Sequence, residues 1–266
     1  MPSVVQYIKD AKRVPKKAIQ IATSDTHNIF VDPDIDGGNE LLSQSPLRPF
    51  PFIDTKNKQR QGIYISGQSG SGKSVFARNL IMTFKDQMNK KELNKDTGEM
   101  IEIQTPVRIF SRTTETDPAF AGIKMMNKIN VNDPNIFQIT PELLKNSIVV
   151  FDDYDQVQNK NLLVFLKGLI KGILEVGRKL NIQVIIINHQ TMDYNKTRDI
   201  IFECNAYVLF PGSNRNATFR FIDNYIKPDK SMLRKLNDIK LSQFSFFYFD
   251  KRYPAHFISD NRVILM

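Results

Sequence analysis

The stretch Gly67-Gln68-Ser69-Gly70-Ser71-Gly72-Lys73-Ser74 follows the apolar run Ile63-Tyr64-Ile65 and precedes a helical pattern. The spacing Gly-x-x-x-x-Gly-Lys-Ser requires a strand that ends where a loop begins and a helix that starts where the loop closes. Glycines let such a loop curl with its N–H groups pointing inward, and the helix behind it presents its positive end, so the whole suits a phosphate. On this reading Gly67, Gly70 and Gly72 are the permissive positions and Gln68, Ser69 and Ser71 complete the loop. Lys73 reaches the β- and γ-phosphates, and the Ser74 hydroxyl ligates Mg²⁺.

Strands and helices alternate around this loop, which predicts an α/β fold with a mainly parallel central sheet flanked by helices. The strand candidates are residues 63–66, 107–110, 147–151, 183–187 and 206–210. A helix from Lys73 to about Phe84 offers Val75, Phe76, Leu80 and Ile81 to its inner face. Another, over residues 162–180, carries Leu163, Leu166, Ile170, Ile173 and Leu174 at three- and four-residue steps. Residues 86–100 read as a polar surface excursion. The division expected is an N-terminal extension over 1–60 with irregular structure, a core over 61–215, and a C-terminal extension over 216–266 with a helix at 231–236 and an aromatic strand at 244–249.

A metal-binding acid is expected at the end of a buried strand, and Ser147-Ile148-Val149-Val150-Phe151-Asp152-Asp153 supplies it. Asp152 is assigned to Mg²⁺, and Asp153 to the water that attacks a γ-phosphate, with a helix-capping role as its alternative. The strand at 183–187 ends in Asn188-His189-Gln190, where either Asn188 or His189 could sense the γ-phosphate. Arg178 is a candidate arginine finger for a neighbouring subunit, with Arg112 as its rival. No Asn-Lys-x-Asp guanine-reading sequence occurs in the chain, so ATP is preferred over GTP.

Composition excludes several classes. Hydrophobic residues make up 41% and charged residues 24%, values of a globular chain rather than a disordered one. No run approaches the length of a membrane span, the first residues lack a signal-peptide centre, and the single Cys204 forms no disulfide framework or zinc cluster. An intracellular protein is expected. The formal net charge of +9 favours a polyanionic partner, and residues 156–198 carry +5 of it.

In sum, GQSGSGKS, SIVVFDDYD, LKGLIKGILEVGRKLNIQVIIINHQ and TRDIIFECNAYVLFPGSNRN resemble the poxvirus-type genome-packaging ATPases of large double-stranded DNA viruses, members of the FtsK–HerA superfamily of RecA-like P-loop ATPases. The resemblance spans about residues 61–250. It implies a RecA-like core in a homo-oligomeric ring that drives double-stranded DNA into a capsid using ATP and Mg²⁺. It further implies capsid or membrane-associated virion proteins as partners, and a location in the host cytoplasm at the site of assembly or in the virion. It carries nucleotide roles onto Lys73, Ser74, Asp152 and Asp153, with Asn188 or His189 as sensor. Asp153 and the Asn-His pair depart from the Glu and Gln common in that superfamily. A replication helicase, or an assembly protein that holds ATP with little turnover, are the alternative readings.

Overall fold

The computed structural model describes residues 2–9, 14–53, 60–93, 98–113, 117–189, 194–212 and 214–266, with only the backbone of residues 194–196. Gln190 lies outside them. The chain opens with β1 (Ser3–Ile8), β2 (Ile19–Thr23), β3 (His27–Asp32), β4 (Glu40–Leu42) and β5 (Arg48–Pro49). The P-loop strand β6 (Gly62–Ser66) leads to α1 (Lys73–Met88), the hairpin β7 (Lys90–Leu93) and β8 (Met100–Ile103), then β9 (Val107–Ser111) and β10 (Met126–Asn130). Next come β11 (Ile148–Asp152), α2 (Lys160–Leu180), β12 (Gln183–Asn188), α3 (Tyr194–Glu203) and β13 (Ala206–Leu209). The chain ends with α4 (Arg215–Phe221), α5 (Lys230–Asn237), β14 (Phe247–Asp250), β15 (His256–Ile258) and β16 (Arg262–Leu265).

Among the described residues a ten-stranded sheet runs β10-β9-β11-β12-β6-β13-β14-β15-β16-β4. The strands from β10 to β13 are parallel, and those from β14 onward pair antiparallel. The central parallel strands β6, β11, β12 and β13 are nearly continuous apolar runs because both faces are covered. Alternate residues serve the two sides. Tyr64, Val149, Phe151, Val184 and Ile186 pack with Leu166, Ile170 and Ile173 of α2. Ile63, Ile65, Ile148, Val150, Ile185 and Ile187 pack with Leu80, Ile81 and Phe84 of α1.

Four expectations change. Residues 1–60, expected to be irregular, contain a four-stranded antiparallel sheet of order β1-β3-β2-β5. Its Val4, Ile21, Ile29 and Val31 join the core on the α1 side. Each strand is short and half-polar, so its burial depends on the α/β core rather than on its own pattern. Val75, expected on the inner face of α1, is 57% exposed. The aromatic strand starts at Phe247, and Phe244 stands in the turn before it. The 86–100 excursion is split: α1 continues to Met88, and β7 and β8 form an exposed hairpin. No helix among the described residues is long and apolar enough to cross a membrane.

Candidate active site

Parallel strands all present their C-terminal ends at one edge, and the loop after β6 opens there. Gly70 and Gly72 have φ of 74° and 97°, conformations that side chains rarely adopt. Gly67 is needed for a different reason: a Cβ there would stand 2.6 Å from Phe210 Cβ and 2.9 Å from Ser71 Oγ. The loop is thus wedged against the end of β13. Inside it, Ser71 N donates to the Gln68 carbonyl at 3.2 Å, and Lys73 Nζ donates to that same carbonyl at 2.8 Å.

Ser69, Gly70, Gly72, Lys73, Ser74, Val75, Asp117, Ala119, Asp152, Asp153, Ile187, His189 and Phe244 line a cavity of about 480 Å³. Volumes of this size suit a nucleotide-sized ligand. β11 delivers Asp152 at its last position. Asp153 turns out of the strand with φ 52° and ψ 34°, and its side chain makes no capping bond to the short helical turn Tyr154–Gln156. That geometry leaves its capping role without support. Asp153 Oδ2 instead lies 2.8 Å from His189 Nε2, and His189 Nδ1 is 3.5 Å from Lys73 Nζ. A neutral imidazole protonated at Nε2 satisfies both contacts, donating to Asp153 and accepting from Lys73. Asp153 Oδ1 is buried with no hydrogen-bond partner.

The two candidates at the end of β12 separate. Asn188 is fully buried and donates through Nδ2 to the Tyr64 hydroxyl at 3.1 Å, on the α2 side of the sheet. His189 alone faces the cavity. Arg178 lies in the last turn of α2, before β12 begins, at the edge of the sheet away from the cavity. It lines a separate hollow with Arg60, Glu175, Lys179 and Arg252. Arg112 follows β9 at the cavity edge and donates to the Gln156 carbonyl at 3.0 Å.

Asp117 was not foreseen from the sequence. It caps the short turn Pro118–Phe120 by accepting from Ala119 N, and it lines the cavity. An Asp before Pro is a common turn signal, so nothing in the linear sequence separates it from other such caps. Burial, followed by the Asp153 and Asp117 carboxylates, raises the Asp152 carboxyl to about 6. Burial lowers the Lys73 ammonium, opposed by Asp153 and Asp152. A cation brought beside Asp152 would relieve this crowding of acids, so the donor set fits Mg²⁺. Among the described residues no three His, Cys, Asp or Glu side chains converge into a closed cage. The fit is therefore to the mode in which a serine hydroxyl, a carboxylate and phosphate oxygens share the ion.

No family model matches the chain. It is 28% identical over 238 residues to "Uncharacterized protein V3" of Sputnik virophage, covering 87% of each chain. The structure of the genome-packaging NTPase B204 from Sulfolobus turreted icosahedral virus 2 with sulfate aligns at a TM-score of 0.52 and 13% identity, over 76% of this chain and 96% of that one. The pCW3 conjugation coupling protein TcpA with ATPγS aligns at 0.53 and 15%, over 92% of this chain and 76% of that one. The chain has their fold. It is the α/β P-loop NTPase fold that the strand order and the loop after β6 describe.

Proposed function

We propose that this protein is a MgATP-hydrolysing motor that moves double-stranded viral DNA into a capsid. The observation that carries the reading is the Asp153–His189 pair beside Lys73 in the P-loop cavity, an arrangement that supports hydrolysis as well as phosphate binding. The packaging destination is supported by the fold shared with B204 and by the virophage relative.

Lys73 exchanges its contact with the Gln68 carbonyl for the β- and γ-phosphate oxygens, while Ser74 and Asp152 hold the metal. Bound there, Mg²⁺ neutralises the charge that develops on the phosphates. Asp153 aligns water and takes its proton as the water oxygen bonds to the γ-phosphorus. The bond to the β–γ bridging oxygen breaks, leaving ADP and phosphate. His189 fixes the Asp153 carboxylate by holding Oδ2.

For the DNA, α2 offers a track. At about 100° per residue, Lys160, Lys167, Lys171 and Arg178 fall within a stripe about 40° wide. Lys160, Lys171 and Arg178 on it are exposed, and Glu175 partly offsets it by pairing with Lys171 at 4.0 Å. Such a stripe supports sequence-independent, salt-sensitive contact with phosphates. In this reading movement comes from subunits that meet in a ring, and a head-to-tail ring brings unlike surfaces together. That arrangement would set Arg178 of one subunit towards its neighbour's nucleotide. Capsid or membrane-associated virion proteins complete the assembly, at the site of virus formation in the host cytoplasm.

The test is phosphate release by the purified protein with Mg²⁺ and ATP, with and without linear duplex DNA, alongside the mass of the oligomer. Hydrolysis stimulated by duplex DNA in an oligomer is expected. ATP retained without turnover in every oligomeric state would replace this reading with that of a static assembly protein, and strand separation without movement on intact duplex would point to a helicase.

A further inference from the structure

The acids of the cavity and Phe244 stand on opposite flanks of the P-loop. Asp152, Asp153 and His189 follow β11 and β12 on one side of β6. On the other side come β13 and then β14, which is antiparallel and enters the sheet at the cavity edge, where Phe247 pairs with Leu209. Phe244 sits three residues before that pairing, against the loop: a Cβ on Gly72 would meet its Cδ1 at 3.7 Å. A triphosphate whose γ end lies by the acids must extend its sugar and base away from them, towards the flank of Phe244.

Phe244 is 61% exposed, although the residues that follow it turn into the interior. Phe246 is buried and packs on Phe76 at 4.8 Å between ring centroids, and Phe76 meets Phe210 at 5.8 Å. The turn that presents Phe244 is fastened on both sides. Ser242 N donates to Ser245 Oγ at 2.8 Å, Ser245 N donates to the Ser242 carbonyl at 3.2 Å, and Ser245 Oγ donates to Asp260 Oδ2 at 2.6 Å. A large apolar ring held open to solvent by a hydrogen-bonded turn, inside a cavity, is a surface arranged for a flat apolar partner.

We propose that Phe244 is the platform on which the base of the bound nucleotide stacks, an inference that rests on the nucleotide reading above. Every base has a π-face, so stacking accepts any of them. Apart from the acids, His189 and Lys73, the described lining carries no carboxylate, amide or guanidinium to tell the edge of adenine from that of guanine.

The experiment compares equilibrium binding of ATP, GTP and inorganic tripolyphosphate, each with Mg²⁺, to the full chain and to Phe244→Ala, Phe244→Leu and Phe244→Tyr variants. In the unaltered chain both nucleotides should bind more tightly than tripolyphosphate. Phe244→Ala should weaken both nucleotides about tenfold and leave tripolyphosphate unchanged. Phe244→Leu should behave like the alanine variant, and Phe244→Tyr should restore binding. Unchanged nucleotide affinity in Phe244→Ala overturns the proposal. A parallel loss of tripolyphosphate also overturns it, since it assigns Phe244 to holding the loop. Failure of the unaltered chain to bind any of the three ligands would instead overturn the nucleotide reading itself.

Discussion

Gly67 admits no side chain without displacing Phe210 or Ser71, so Gly67→Ala should both misshape the phosphate loop and strain the core. Overpacking of this kind costs about 1–3 kcal/mol. Urea unfolding should show a lower midpoint, and titration with MgATP should show binding lost. In the proposed mechanism His189 would act at one remove, since its Nε2 is 2.8 Å from the carboxylate assigned to the water. Replacing it with alanine frees Asp153 to rotate, and kcat should fall about 10²-fold, within the range of general-base effects, while KM for ATP changes little. Steady-state kinetics separates this from a binding defect, which would raise KM instead. The loop, Asp152 and Asp153 are legible in the sequence because their chemistry is written in consecutive residues. Asp117 is not, because it reaches Asp152 from another strand connection and looks locally like any turn cap.

At the scale of elements, α2 is legible from its apolar period, and its buried Leu166, Ile170 and Ile173 follow that period. The helix is also where the charge excess collects. The double variant Lys167→Glu/Lys171→Glu should lose DNA-stimulated hydrolysis, and its residual DNA binding should depend less steeply on salt. Stimulation that survives intact would remove α2 as the DNA track. The N-terminal strands escape a reading from sequence because their pairing partners are decided elsewhere. β2 and β3 carry a register shift between Gln20 and Ala22, and β4 pairs with β16, at the other end of the chain. Alternation within five residues cannot announce a partner more than two hundred positions away.

Taken whole, the molecule keeps the P-loop, Asp152, Asp153 and His189 at one edge of the sheet and Arg178 at the other. If that arginine serves a neighbour's nucleotide, mixing Arg178→Ala subunits with Lys73→Ala subunits should restore part of the ATPase rate lost in each alone; no recovery at any ratio would count against it. Stability should also respond to acid through His256. Burial lowers its imidazole below the usual value, opposed by Asp250 and by the bond to the Pro254 carbonyl. The unfolded chain therefore takes up a proton there first, so stability falls as pH drops below about 6.5. Thermal melts between pH 7.5 and 5 should show the fall, and His256→Asn should flatten it. The closing edge of the large sheet has a consequence for how the chain is made. β4 is synthesised more than two hundred residues before its partner β16, and its Glu40 is clamped by Lys235 at 2.6 Å and Arg262 at 3.4 Å. Until β16 has been made, β4 waits as an unpaired edge. A chain that stops before β16 would keep that edge open to strands of other molecules.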